Sequence, residues 1–217
     1  MARSKKMQKP VINPNDMYVT PGYVVDMLAH LCDEMLPMQE WVIDIGAGDA
    51  RIGRQVRSAF RNRLPLVSVP RLVTIDPVPD WDEIVEDIDE PYVGTFENGE
   101  WLRSIVRGRI LFVSNPPFSQ AFDIIQNARW MLNGYAPGSA MVFLLRQNWF
   151  ATLKRAEWLT ANPYNRNVSI APRPVFENEY KDNPKGQSDS NEYGLFFWFN
   201  GDASKTFWPH SVRIGKK

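Results

Sequence analysis

The run Trp41-Val42-Ile43-Asp44-Ile45 breaks into Gly46-Ala47-Gly48-Asp49-Ala50 and then continues as Arg51-Ile52-Gly53-Arg54. That break constrains the fold more than any other stretch of the chain. A short apolar strand delivers an acid, and small residues then turn tightly into a helix. Gly46 and Gly48 permit positive φ and let backbone approach a ligand closely. A second apolar run, Arg71-Leu72-Val73-Thr74-Ile75-Asp76, ends in another carboxylate. An acid closing the second strand of a doubly wound sheet can hold both hydroxyls of a ribose. Taken singly, the first motif is an ordinary glycine turn and the second a turn-capping acid. Their order gives them weight.

A third run, Ile110-Leu111-Phe112-Val113-Ser114, ends in Asn115-Pro116-Pro117-Phe118. Neither proline has an N–H to give a ladder, so the strand must stop there. The turn is stiffened, and the Asn115 amide and the Pro116 carbonyl are left to face a ligand. Asn offers an acceptor and donors, the carbonyl an acceptor, and Phe118 a flat apolar face. Such a set can grip a planar amino group from two sides while stacking on the ring that bears it.

Around these motifs the pattern alternates between strands and helices, which predicts an α/β fold. A helix follows Thr20-Pro21 with Val24, Val25, Leu28 and Leu31 on its inner face; Pro21 suits the first turn. Strands are expected near 41–45, 71–76, 92–96, 110–114 and 140–145, with helices near 50–60, 119–133 and 152–160. Phe122, Ile125, Ala128, Trp130 and Leu132 are candidate packing positions of the second of these helices. Residues 167–171 and 193–199 read as a closing antiparallel pair. Between them, residues 177–191 form a polar stretch longer than the roughly two to five residues of an ordinary hairpin loop.

Acid, glycine turn, strand with acid, and strand with Asn-Pro-Pro-Phe, in that order, resemble the N6-adenine type of class I S-adenosylmethionine-dependent methyltransferase, in the compact form often carried by phages. The resemblance covers roughly residues 15–200. It implies a Rossmann-like fold: a mixed, mostly parallel seven-stranded sheet with helices on both faces and a C-terminal antiparallel strand pair. Asp44, Gly46, Ala47 and Gly48 match the family's cofactor loop, and Asp76 with Pro77 its ribose acid. Tyr18-Val19-Thr20-Pro21 resembles the opening motif that folds over the methionine end of the cofactor. Thr95 and Phe96 stand where many relatives carry an acid near the cofactor adenine. Asn115 to Phe118 match the catalytic tetrapeptide, with Asn115 also bordering the cofactor. The implied cofactor is S-adenosylmethionine and the implied substrate an adenine in DNA, with RNA possible.

Substrate contacts are expected at the rim beyond the strand ends, where open α/β sheets bind ligands. Phe118, Arg146, Asn148 and Trp149 are candidates there, Trp149 as a stacking platform. Arg173, in a segment similar to one in phage-type relatives, is another. Relatives with strict sequence recognition usually add a target-recognition segment between the cofactor and catalytic motifs or after the core; the interval is short here, so the resemblance implies relaxed or short sequence specificity. Residues 1–15 read as a flexible basic arm and 16–217 as a single methyltransferase domain without a separate target-recognition domain. Protein-glutamine methyltransferases also hold a planar amide with Asn-Pro-Pro and an aromatic residue. A catalytically silent binding protein on the same fold is an alternative of a different class.

Composition fits a globular enzyme: 217 residues, 44% of them hydrophobic. No run reaches the roughly 20 apolar residues that span a bilayer, and the basic start lacks an apolar signal region, so the expected location is the cytoplasm, a host's if the chain is phage-encoded. Cys32 stands alone, and His30 and His210 lack metal-ligand spacing, so no metal is expected. Formal net charge is +0, but 51–71 contains arginines without acids and 80–100 acids without Lys or Arg. Arg51, Arg54 and Arg57 recur at helical spacing, as a solvated face or as phosphate contacts. The oligomeric state is left open.

Overall fold

A computed structural model of the chain describes residues 18–62, 69–80, 85–97, 99–176 and 191–201. The expected arm at 1–15 and most of 177–191 lie outside them. Seven strands form one sheet: β1 Trp41–Ile45, β2 Arg71–Asp76, β3 Glu90–Val93, β4 Ile110–Ser114, β5 Ala140–Arg146, β6 Arg166–Ser169 and β7 Tyr193–Phe199. Their spatial order is β3-β2-β1-β4-β5-β7-β6. The first five pair in parallel, and β7 runs antiparallel to both β5 and β6. Helices are α1 Gly22–Met35, α2 Arg51–Arg61, α3 Leu102–Ile105, α4 Ala121–Leu132 and α5 Leu153–Ala161.

Alternation along each central strand divides the core into two layers, because successive side chains leave opposite faces of the sheet. Val42, Leu72, Leu111, Val113 and Leu144 pack with α1 and α2 on one face. Ile43, Ile45, Val73, Phe112 and Phe143 pack with α4 on the other. Both faces are covered, as a parallel sheet requires. The switch of direction lies between β1 and β4, so the carboxyl ends of β1, β2 and β4 open into one crevice.

Three expectations change. β3 sits at Glu90–Val93 rather than 92–96, so Phe96 leaves the strand and is buried against Phe112. Trp130 was expected to pack inward but is 53% exposed, with the Arg103 guanidinium lying 4.4 Å over its ring. The arginines of α2 face the acidic stretch. Arg54 pairs with Asp87 at 2.9 Å, Arg57 donates to the Asp87 carbonyl at 2.6 Å, and Arg71 pairs with Glu90 at 2.9 Å. The two oppositely charged segments therefore satisfy one another across the β2 edge.

α2 crosses β1 and β2 so closely that no side-chain space remains at Gly53. A Cβ there would lie 2.7 Å from Leu72 Cδ1 and 2.9 Å from Asp44 Cβ. Gly53→Ala is expected to destabilise the fold by about 1–3 kcal/mol, the usual cost of overpacking. A urea midpoint equal to wild type would show that α2 can shift freely.

Candidate active site

The glycine loop is built by its own backbone. Gly46 (φ +65°) and Gly48 (φ +54°) take left-handed conformations, and Ala50 (φ +58°) joins them immediately before α2. Gly46 N–H donates to the Ile75 carbonyl at 2.8 Å, tying the loop to the end of β2. Asp76 closes the arrangement: its Oδ2 accepts from Gly48 N–H at 2.8 Å and its Oδ1 from Val78 N–H at 2.7 Å. Burial raises the Asp76 pKa, and the two N–H groups act against that rise. Each oxygen retains a second lone pair for a ligand. Pro77 follows, half-buried.

Asp44 lies beneath the loop with 0% exposure. Its Oδ2 accepts from Gly53 N–H at 2.7 Å, while Oδ1 has no partner among the described residues. Burial pushes its pKa up to about 8; the Gly53 N–H opposes this, and Asp76 and Asp49 add to it. The carboxyl is therefore held as a neutral acid near neutrality.

The tetrapeptide meets this loop directly. Ser114 Oγ donates to the Ile45 carbonyl at 2.5 Å, locking the ends of β4 and β1 together. A Cβ at Gly46 would stand 3.4 Å from Pro117 Cδ, so the two turns lie side by side with room for ordinary contact, and the positive φ is what calls for glycine. Asn115 Nδ2 donates to Thr20 Oγ1 at 3.0 Å. Among the described residues, nothing donates to Asn115 Oδ1 or to the Pro116 carbonyl. Two acceptors thus stand unengaged among the described residues, on the half-buried Asn115 and the buried Pro116.

Phe118 is half-buried in a circuit of aromatic rings. Tyr18 lies 5.5 Å from it, Tyr193 6.1 Å, and Phe176 packs on both Tyr18 (5.9 Å) and Tyr193 (5.0 Å). The Arg146 guanidinium covers the Phe118 ring at 4.2 Å and its Nε donates to Tyr193 Oη at 3.4 Å. A flat group already fits that face.

The fold thus brings Tyr18, Thr20, Gly46, Ala47, Gly48, Asp76, Asn115 to Phe118 and Arg146 together beyond the ends of the central strands, with Asp44 fully buried beneath the loop. Pro21 starts α1 beside them, its carbonyl accepting from Val24 and Val25. Thr95 is half-buried past β3, its hydroxyl donating to Glu97 at 3.3 Å. Phe96 serves the core. Asn148 is exposed in the turn after β5, and Arg173 is exposed 3.8 Å from Glu192. Trp149 requires correction as a stacking platform. It is 7% exposed and enclosed by Phe122, Phe150, Trp158, Phe196 and Trp198, so neither ring face is open to a base.

Several contributors escaped the sequence. Gln147 accepts from Asn167 Nδ2 at 2.7 Å and donates to Ser169 Oγ at 3.0 Å, pinning the post-β5 turn to β6. Gly194 makes room for it, since a Cβ there would lie 2.5 Å from both amides. Arg51 donates to the Thr20 carbonyl at 3.1 Å and is clasped by Asp49. The sequence signals were the position of Gln147 inside Arg146-Gln147-Asn148-Trp149 and the helical spacing of Arg51 with Arg54 and Arg57.

No family model and no curated protein sequence matches the chain. Solved structures do. A Listeria monocytogenes protein assigned to the class I S-adenosylmethionine-dependent methyltransferases superposes with TM-score 0.60 at 13% identity, over 94% of this chain and 67% of its own. The fold is that of class I methyltransferases. A Pyrococcus horikoshii protein assigned as an RNA methyltransferase gives TM-score 0.58 at 10% identity, covering 91% and 93% of the two chains. The M protein of the type I restriction enzyme EcoKI gives 0.56 at 11% identity, over 91% of this chain but 45% of that one. At these identities the likeness is one of architecture. Among the described residues no helix is long and apolar enough to cross a membrane, and no cluster of His, Cys, Asp or Glu could hold a metal.

Proposed function

We propose that the chain transfers a methyl group from S-adenosylmethionine to the exocyclic N6 amine of adenine in DNA, with relaxed or short sequence specificity. The observation that carries this reading is the pair of unengaged acceptors, Asn115 Oδ1 and the Pro116 carbonyl, in the same turn as the half-buried Phe118 ring.

The loop suits the cofactor on its own geometry. Gly48 turns with positive φ and would point a Cβ into open space, so backbone can close on a ligand there. Asp76, oriented by two backbone N–H groups, is placed to accept from ribose hydroxyls, with Tyr18 to Pro21 bordering the same crevice. When bound, S-adenosylmethionine supplies a methyl group on a sulfonium, an electrophile with a good leaving group. What the chain's own residues must do is hold nucleophile, methyl and sulfur in line.

An adenine amine is a weak nucleophile because its lone pair is shared with the ring. Asn115 Oδ1 and the Pro116 carbonyl each accept one of its hydrogens, favouring a tetrahedral nitrogen and stabilising the positive charge that develops on it. With S-adenosylmethionine held by Gly46 to Gly48 and Asp76, the amine so oriented would take up the methyl group that the sulfonium supplies and would release one N6 proton to water. Phe118 stacks on the base once Arg146 moves aside. A base in duplex DNA cannot reach this crevice within the stack, so it must be flipped out.

Support for a nucleic-acid substrate comes from the EcoKI M protein and the RNA methyltransferase-like neighbour, whose folds match. Purified protein given tritiated S-adenosylmethionine with DNA, RNA or a glutamine-bearing protein substrate should label DNA adenine most. Label confined to RNA or to glutamine would move the assignment to that class, and cofactor binding without transfer to any of them would favour a silent binding protein.

A further inference from the structure

We infer that Thr20 is a positioning residue for Asn115, in place of the cofactor contact that its sequence motif suggests. The inference rests on the proposed methyl transfer for its kinetic meaning and on geometry for the rest. Thr20 is only 5% exposed, and its hydroxyl sits 3.0 Å from Asn115 Nδ2 across 95 residues of chain. A carboxamide has two faces of opposite character, an oxygen that accepts and a nitrogen that donates. Adenine N6 presents only hydrogens to the pocket, so the amide is productive in one orientation only. By accepting from Nδ2, the Thr20 hydroxyl holds the amide by its nitrogen and leaves Oδ1 unengaged among the described residues, available to the amine.

Thr20 is itself held from the cofactor side. Its carbonyl accepts from Arg51 Nη1 at 3.1 Å, and Arg51 Nε donates to Asp49 Oδ2 at 2.5 Å. Asp49 Oδ1 accepts from Arg51 N–H at 3.2 Å, so this clasp is built on the end of the glycine loop. A continuous set of contacts therefore runs from the loop through Arg51 and Thr20 to Asn115. The segment before α1 registers the loop and sets the catalytic amide with the same residue, once through its backbone and once through its hydroxyl.

Thr20→Val removes the acceptor at nearly constant volume, and Thr20→Ser restores it. Thr20→Val should lower kcat by about 10- to 100-fold while leaving the dissociation constant for S-adenosylmethionine within about twofold, as expected for a misaligned catalytic group. Thr20→Ser should return kcat to within about threefold of wild type by the same argument. Nitrogen-15 spectra give a readout independent of turnover: one Asn115 side-chain amide proton should be protected from solvent exchange in wild type and Thr20→Ser and unprotected in Thr20→Val. Loss of cofactor affinity in Thr20→Val with kcat preserved would make Thr20 a cofactor ligand and overturn the inference. So would Asn115 protection that is identical in all three proteins. Should wild type transfer no methyl to adenine, the functional reading fails while the spectra still decide the role of Thr20.

Discussion

Asn115→Ala should bind S-adenosylmethionine within about twofold of wild type, yet transfer methyl about 10²- to 10³-fold more slowly, the scale seen when one preorganised polar partner of a developing charge is removed. The separation follows from where the residue sits. The proposed cofactor contacts are Gly46 to Gly48 and Asp76, whose hydrogen bonds do not involve Asn115. The amide's only hydrogen bond among the described residues is with Thr20. Isothermal titration calorimetry and a filter assay for tritium transfer measure the two quantities separately. Parallel loss of both would place Asn115 in cofactor binding, and unchanged turnover would remove it from the chemistry.

The second large effect concerns Asp44. Its ordinary pKa is 3.8, and burial lifts it to about 8 in the folded chain. Below about pH 4 both folded and unfolded chains carry the proton, and Asp44 makes no difference. Between these limits the folded chain keeps a proton that the unfolded chain has lost, so stability falls as pH rises. Above about pH 8 the folded chain has ionised Asp44 as well, and the loss is complete. At ~1.4 kcal/mol per unit the total is on the order of several kcal/mol. Asp76, also raised by burial, acts in the same direction. Asp44→Asn keeps an oxygen for Gly53 N–H and cannot ionise. Without cofactor it should have a higher urea midpoint than wild type at about pH 9, with the gap closing toward about pH 5. A variant less stable than wild type at high pH would mean that the ionised carboxylate has a stabilising partner.

Elements defined by apolar runs and breakers are legible in the amino-acid sequence. β1, β2, β4 and β7 fall where hydrophobic runs meet glycine, acid, proline or polar residues, because local pattern and tertiary burial agree there. β3 was misplaced because an edge strand lacks that pattern: Pro91, Tyr92 and Val93 are all exposed. α3 has four residues, too few to show a helical period. Trp130 and Trp149 changed places in effect, the supposed core ring lying outside under Arg103 and the supposed platform inside. Which tryptophan is buried depends on contacts between distant elements, and no local period encodes them.

For the candidate site, the residues were legible but their relations were not. Asn115 and Pro116 announce unpaired acceptors because a double proline ends the strand. That Thr20 would bond Asn115, that Arg51 would hold Thr20, or that Arg146 would lie on Phe118 follows only from the packing of α1, α2 and β5 against β4. The arginines of α2 are similar. Their spacing was visible, whereas their partners, Asp87 and Asp89, come from a segment brought beside them by β2 and β3.

Mass spectrometry of nucleosides from DNA treated with the protein and S-adenosylmethionine tests the central claim most directly. The paired acceptors at Asn115 and Pro116 predict N6-methyldeoxyadenosine from wild type and essentially none from Asn115→Ala. Finding the methyl on another atom, or the same yield from both proteins, would contradict it.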